Sequence, residues 1–257
     1  MNYGLIGEAL SHSLSPLIHR CFGNEDYGLF PLAREQLADF LETGAFSVLN
    51  VTVPYKEKVI PFCDELSVTA LTCGNVNTLL KRQDGTVYGD NTDYGGMKAL
   101  CAKNGISLTH RFVVILGSGG AAKTAQALCE AENATECILI SRSLGASFGS
   151  YQDKELFRSA EIIINATPVG MYPRSDATPL DISLLEHTEA VIDLIYNPLP
   201  TRFLREAAAR DIKTADGLWL LIEQARLSEE LFQNKSIDPA INAAAFREAV
   251  ATLRSTP

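Results

Sequence analysis

The stretch Arg111 to Glu130, RFVVILGSGGAAKTAQALCE, decides the fold. Phe112 to Leu116 is five apolar residues, and a run that short and that apolar reads as a strand buried on both faces. Gly117-Ser118-Gly119-Gly120-Ala121-Ala122 follows, and then helix-forming residues to Glu130. Strand, glycine turn and helix are the setting in which G-x-G-x-x-G/A carries meaning. Gly117 allows the tight turn, Gly119 lets the backbone approach a pyrophosphate, and Ala122 is small enough for the helix to pack on the strand. The N–H groups and positive dipole end of the helix then meet the phosphates. The competing explanation is an ordinary βα turn with nothing bound. The flanking elements and the distance to the next strand favour the dinucleotide.

Working outward from this loop, Glu136 to Ser141 is the second strand of the nucleotide domain, and Arg142 stands at its end, where an adenosine ribose lies. An acid there accepts the 2′-hydroxyl of NAD, whereas an Arg accommodates the 2′-phosphate of NADP, so Ser141-Arg142-Ser143 favours NADP. Residues 144 to 160 are too few and too polar for a full helix with its connections. Further buried strands are expected at Ala160 to Asn165, Ala190 to Tyr196 and Ile212 to Ala215, with helices at Arg202 to Arg210, Leu218 to Phe232 and 238 to 254.

Before the glycine loop, Asn2 to Ile6, Asp26 to Pro31 and Phe46 to Val53 read as strands, and the Asp84-Gly85 turn marks a hairpin between residues 75–80 and 86–89. Ser15 followed by Pro16 is a helix start, with Ser at the N-cap and Pro behind it; Ser13 has no such capping role. Asn50 and Thr52, two apart, are expected on one side of the third strand. Such polar groups at the end of a buried strand are expensive unless satisfied or used. Asp93 is placed to cap a helix over 94–103, its unremarkable role. A nicotinamide moves hydride, so the protein must move a proton, and Lys56 with Asp93 is the leading pair for that work. A surface lysine beside Glu57 and Lys58 is the plain alternative for Lys56.

The totals bound the function. A net charge of −9 argues against nucleic acid or an acidic membrane surface as partner. The six cysteines, at 21, 63, 73, 101, 129 and 137, have no C-x-x-C spacing and no histidine at ligand spacing, so no metal site is expected and a reducing cytoplasm is. No secretory signal or membrane-length apolar run is seen. With 257 residues the expected fold class is α/β in two domains: an N-terminal α/β domain, and a C-terminal Rossmann-like doubly wound parallel sheet shortened after its second strand.

Seven phrases occur in the order seen in one family: SHSLSP (11–16), NVTVPYK (50–56), GNVNT (74–78), DNTD (90–93), GSGGAA (117–122), NATPVGM (165–171) and DLIYNP (193–198). The chain resembles shikimate dehydrogenases over nearly its whole length. That resemblance implies an oxidoreductase acting on a CH–OH group, reducing 3-dehydroshikimate to shikimate with NADP(H) in the route to chorismate and the aromatic amino acids. It implies a substrate domain at 1–104, a nucleotide domain at 105–216, helices at 217–257 packing back toward the first domain, and an active site between the domains. Lys56 and Asp93 become the catalytic pair. Ser13, Ser15 and Tyr196 fall at the substrate carboxylate; Asn50, Thr52, Asn77 and Asp93 face its ring hydroxyls and keto oxygen; Gln224 also binds substrate. Gly117 to Ala122 holds the pyrophosphate, Ser141-Arg142-Ser143 clamps the 2′-phosphate, and Met171 and Gly217 lie near the nicotinamide. The clamp departs from its relatives, which carry another basic residue four after the Arg where position 146 here is Ala, and the segment from Arg142 to Asn165 is short. A nucleotide-domain helix is therefore expected to be missing or reduced, and NAD(H) is the alternative cofactor. A quinate/shikimate dehydrogenase and a non-catalytic shikimate-binding regulator are the alternative functions. A monomer or homodimer in the cytoplasm is expected.

Overall fold

The computed structural model describes residues 2–44, 46–142 and 149–255. They form two compact units, one of Met1–Gly96 with Leu221–Pro257 and one of Met97–Leu220.

The first unit is built on a six-stranded mixed sheet of β1 (Asn2–Gly7), β2 (Gly28–Pro31), β3 (Phe46–Val51), β4 (Glu65–Leu66), β5 (Thr78–Lys81) and β6 (Val87–Asp90), in the order β2-β1-β3-β5-β6-β4. β1 pairs parallel to β2 and β3, whereas β5 runs antiparallel to β3 and β6. The strand period of two sends neighbours to opposite faces. Ile6 joins Leu49, Val51, Tyr55 and Leu79 in one core, and Leu5 joins Leu10 and Tyr27 in another. Among the described residues, four α-helices lie within this unit: α1 (Ser15–Cys21), α2 (Leu37–Glu42), α3 (Val68–Cys73) and, near the chain end, α9 (Asn242–Ser255). The carboxyl ends of β1, β3 and β6 and the amino end of β5 share one edge of the sheet, because Asn50 is in register with Leu5 and Thr78, and Thr78 with Asp90.

The third strand is shorter than expected. It ends at Val51, and Thr52 lies beyond it in a turn, its carbonyl accepting the Tyr55 N–H at 2.9 Å. The Thr52 N–H still donates to the Ile6 carbonyl at 2.9 Å, so Thr52 stands directly past the last strand residue. Pro54 has no N–H for a ladder, which turns the chain before the expected end.

The second unit holds β7 (Phe112–Leu116), α5 (Gly120–Ala131), β8 (Glu136–Ile140), α6 (Lys154–Ser159), β9 (Ile162–Asn165), β10 (Ala190–Asp193), α7 (Arg202–Ala208) and β11 (Lys213–Asp216). Its five strands are all parallel, in the order β11-β10-β9-β7-β8. This is the doubly wound arrangement: the chain runs from β7 out to β8, then returns past β7 to β9. The crevice outside the carboxyl ends of β7 and β9 is the switch point at which such sheets bind ligands. Val114, Leu116, Ile163, Val191, Phe157 and Phe203 pack on one face of the sheet. Among the described residues between β8 and β9 the helix is six residues long, α6, capped by Asp153. Strand β10 stops at Asp193, so Tyr196 stands beyond it rather than at its end.

Chain continuity between the units runs through helices. α4 (Thr92–Lys103) crosses the division at Gly96/Met97 and α8 (Leu218–Gln233) crosses it at Leu220/Leu221. The expected divisions at 104/105 and 216/217 sit instead just outside the ends of these two helices.

Candidate functional site

In the first unit the ammonium of Lys56 donates to Oδ2 of Asp93, with the two side chains only 15% and 11% exposed. Lys56 lies in the turn after β3. Its backbone is held there by the Val76 N–H on its carbonyl at 2.8 Å, while its neighbour Tyr55 is fully buried with its hydroxyl on the Leu32 carbonyl at 2.5 Å. Asp93 lies in the first turn of α4, where the helix dipole favours a carboxylate. It is not the cap expected from sequence: Asn91 does that work, its Oδ1 accepting the Tyr94 N–H at 3.2 Å. A carboxylate released from capping is available to hold a lysine.

Asn77, Thr92 and Gln224 converge beside this pair. Asn77 Oδ1 accepts the Thr92 N–H at 2.8 Å, and its Nδ2 donates to Thr92 Oγ1 at 3.0 Å and to Gln224 Oε1 at 3.4 Å. Asn50 behaves differently. It is buried, its Oδ1 accepts the Tyr27 hydroxyl at 2.8 Å, and its Nδ2 donates to Ser228 Oγ at 2.8 Å, Thr78 Oγ1 at 3.1 Å and the Asn77 carbonyl at 3.2 Å. Its polar groups are engaged with the protein, which satisfies them as burial demands. Ser228, one helical turn after Gln224, also contacts Thr78 and Thr92, and so sets the register of α8 against the sheet edge. Thr52 lays its methyl toward Gly7, where a Cβ would stand 2.6 Å from it.

Ser13 and Ser15 are side by side at the start of α1, 3.1 Å between hydroxyl oxygens, with the Ser15 N–H donating to Ser13 Oγ at 3.2 Å. This reverses the expected roles. The cap position is Leu14, which has no side-chain cap bond, and it is Ser13 that accepts a backbone N–H near the helix start.

Behind this edge lies a fully buried pair, His19 Nδ1 and Glu229 Oε1 at 2.6 Å. Asn24 and Gln233 donate to the same carboxylate, and the imidazole stacks on Tyr27 at 3.7 Å between ring centroids. Burial drives the His19 pKa down, with the hydrogen bond and charge of Glu229 acting in the opposite sense.

In the second unit the glycine loop has the geometry of a pyrophosphate cradle. Gly117 adopts φ +118°, and a Cβ there would meet the Ala166 carbonyl oxygen at 3.0 Å. Gly119 occupies the N-cap of α5 without contributing a side chain, and a Cβ on it would meet no atom within 4 Å. Ala122 is fully buried under the helix. Ser118, Gly120 and Ala121 complete the turn, and Ser118 Oγ lies 3.3 Å from Ser141 Oγ, tying the loop to the end of β8 where Arg142 is exposed. These residues fit a dinucleotide phosphate backed by a 2′-phosphate partner. Ser143 and position 146 lie outside the described residues. Met171 is 46% exposed in the loop after β9; Tyr196 is half-buried beyond β10; Gly217 packs so closely that a Cβ would meet the Leu194 carbonyl oxygen at 2.1 Å.

Several residues in or behind the candidate site escape sequence reading. Thr92 is flanked by Asn91 and Asp93 in a phrase already singled out, and Ser228 follows Gln224 at helical spacing, so both carried a local signal. His19 and Glu229 are 210 positions apart, and nothing in the chain links them before folding.

A family model described as the shikimate dehydrogenase substrate binding domain matches residues 5–79. The shikimate dehydrogenase (NADP(+)) of Clostridium beijerinckii is 35% identical over 252 residues, 92% of this chain and 93% of its own. Among solved structures, shikimate dehydrogenase 1 from Peptoclostridium difficile is similar with a TM-score of 0.90 at 35% identity, covering 98% of this chain and 99% of that one. The Thermus thermophilus shikimate 5-dehydrogenase in complex with NADP(H) and shikimate has a TM-score of 0.85 at 31% identity, covering 97% and 99%.

Proposed function

The chain belongs to the shikimate dehydrogenase family of NADP-dependent oxidoreductases, and on that footing we propose that it reversibly reduces 3-dehydroshikimate to shikimate, with Lys56 and Asp93 as its catalytic pair. The observation that carries the residue assignment is the Lys56–Asp93 contact, nearly buried at the sheet edge where Asn77, Thr92 and Gln224 converge. NADPH supplies the hydride when bound. Lys56 delivers the proton to the developing alkoxide in reduction and receives it in oxidation. Asp93 holds the ammonium in place and accepts the hydrogen bond of the reacting hydroxyl in the alcohol form.

The first unit is the substrate domain in this reading. Ser13 and Ser15 bind the substrate carboxylate, while Thr52, Asn77 and Gln224 hold its ring hydroxyls; in the second unit Tyr196 is assigned to the substrate as well. Asn50 supports Asn77 from behind rather than reaching the ring. The second unit binds the nucleotide through Gly117 to Ala122, Ser141, Arg142 and Ser143, with Met171 and Gly217 toward the nicotinamide. The enzyme is cytoplasmic in this reading and works on small molecules as a monomer or homodimer. No helix among the described residues is long and apolar enough to cross a membrane.

Steady-state oxidation of shikimate and quinate with NADP+ and NAD+ in parallel tests the reading. Shikimate with NADP+ should be the preferred combination. Lys56→Ala should lower kcat by about 10²–10⁴-fold, the usual worth of a positioned acid or base, while shikimate affinity by calorimetry changes only a few-fold. Unchanged turnover in Lys56→Ala would remove the lysine from the mechanism. No shikimate oxidation by the wild type with either cofactor would remove the function.

A further inference from the structure

Asp193 is a fully buried carboxylate that the proton chemistry does not use. It ends β10, next to β9 and on the opposite side of β7 from β8. Its Oδ1 accepts from Asn165 Nδ2 at 2.9 Å and from the Ile195 N–H at 3.2 Å, and its Oδ2 accepts from Thr201 Oγ1 at 2.7 Å. Each donor belongs to a different segment. Asn165 ends β9, and its Oδ1 accepts the Thr167 N–H at 3.1 Å and hydroxyl at 2.7 Å; its Nδ2 also reaches the Val169 carbonyl at 3.3 Å. Ile195 is the second residue after β10, and Thr201 caps α7 by accepting the Leu204 N–H at 3.3 Å. One carboxylate thus ties together the loop after β9, the turn after β10 and the start of α7.

The place of this hub gives it a ligand. The loop after β9 borders the switch-point crevice, since Ala166 lies against Gly117. With phosphates on the glycine turn and the adenosine end over β8 at Arg142, the other half of a dinucleotide runs over β9 and β10. We propose that Asp193 is a positioning residue for the nicotinamide half of the cofactor, holding the rim formed by residues 166–171 and 194–201 in its binding shape. The proposal rests on the dinucleotide reading given above. An ionised carboxylate is the suitable group, because it accepts from all three donors and competes with none of them. Burial pushes the Asp193 carboxyl up to about 6, and the neighbouring Asp216 carboxylate adds to that, while the bonds from Thr201, Ile195 and Asn165 pull it down.

Calorimetric titration with NADP+ and, separately, with 2′,5′-ADP, which carries only the adenosine half, tests it. Asp193→Ala should weaken NADP+ binding by roughly tenfold or more, as expected for releasing several hydrogen-bonded segments, and leave 2′,5′-ADP binding within twofold. Thr201→Val, remote from the glycine turn, should shift NADP+ affinity several-fold in the same direction, and Thr201→Ser, which keeps the hydroxyl, should restore it. Should Asp193→Ala fail to fold, the two Thr201 variants decide alone. Equal weakening of both ligands, or no change in either, would overturn the proposal. A wild type that binds 2′,5′-ADP and NADP+ no better than an unrelated protein would instead overturn the dinucleotide reading beneath it.

Discussion

The two units present their sites in different chemical material. In the first, side chains are drawn from the loop before α1, the turn after β3, the amino end of β5, the first turn of α4 and the middle of α8, and they already bond to one another: Lys56 to Asp93, Asn77 to Thr92 and Gln224. In the second, the proposed phosphate cradle is six contiguous residues that offer mainly backbone, with a positive φ at Gly117 and open space beside Gly119. A small, polyhydroxylated acid must be distinguished from near relatives, which takes directional side-chain groups with unmet partners for any analogue that lacks a hydroxyl. A pyrophosphate is the same in every dinucleotide, so backbone N–H groups and a helix dipole suffice.

That contrast can be broken at either end. The largest effect is expected from Asp93→Asn, which keeps the side-chain shape but removes the charge that holds Lys56. Turnover should fall by about 10²-fold or more while NADP+ affinity stays unchanged. A variant with kcat within threefold of wild type would mean that Asp93 is only a structural partner.

Gly117→Ala should do the reverse. An L side chain at φ +118° is strained, and its Cβ would press on the Ala166 carbonyl. A loss of about 1–3 kcal/mol of stability, read as a lower Tm, should accompany weaker NADP+ binding, with shikimate binding to the nucleotide-free protein unaffected. Weakened shikimate binding would show that the two kinds of site are not separable in this way.

The smallest effect concerns two buried titratable groups, one in each unit, whose shifts have opposite consequences. His19 has its pKa lowered by burial, so its contribution is present above the ordinary histidine value of about 6.5 and is lost as pH falls below it, where the unfolded chain takes up the proton first. Asp193 is raised to about 6, so in the folded state it is protonated before the unfolded chain is, and its contribution grows as pH falls from about 6 toward the ordinary carboxylate range. Thermal melts between pH 7.5 and 4.5 should therefore show a shallower acid-side decline in His19→Asn than in the wild type, and a steeper one in Asp193→Asn. The same slope in all three proteins would mean that neither shift governs stability in this window.

The sequence carried most of the secondary structure because its strands are short apolar runs bounded by glycine, proline or polar residues. The strand ends are where it erred. Thr52 and Tyr196 read as strand residues by composition, but Pro54 and the turn after Asp193 stop the ladders earlier. The two-residue β4 carried no periodic signal at all and exists because β6 offers it an edge. Helix caps were misassigned for a related reason. Ser15 and Asp93 are good caps by residue type, yet the neighbours Ser13 and Asn91 are the ones that accept backbone N–H groups, and the difference lies in backbone geometry that residue preference does not encode.

By itself the sequence determined the family and the doubly wound nucleotide sheet, and it singled out the lysine and aspartate that the structure brings into contact, since these rest on contiguous phrases. Only the tertiary structure decided how distant residues are shared out among tasks. It engages Asn50 inward with Tyr27 and Ser228, pairs His19 with Glu229, and makes Asp193 the anchor of three segments. The physical reason is that a buried polar group must find its partner in space, and the chain can bring that partner from any position along it.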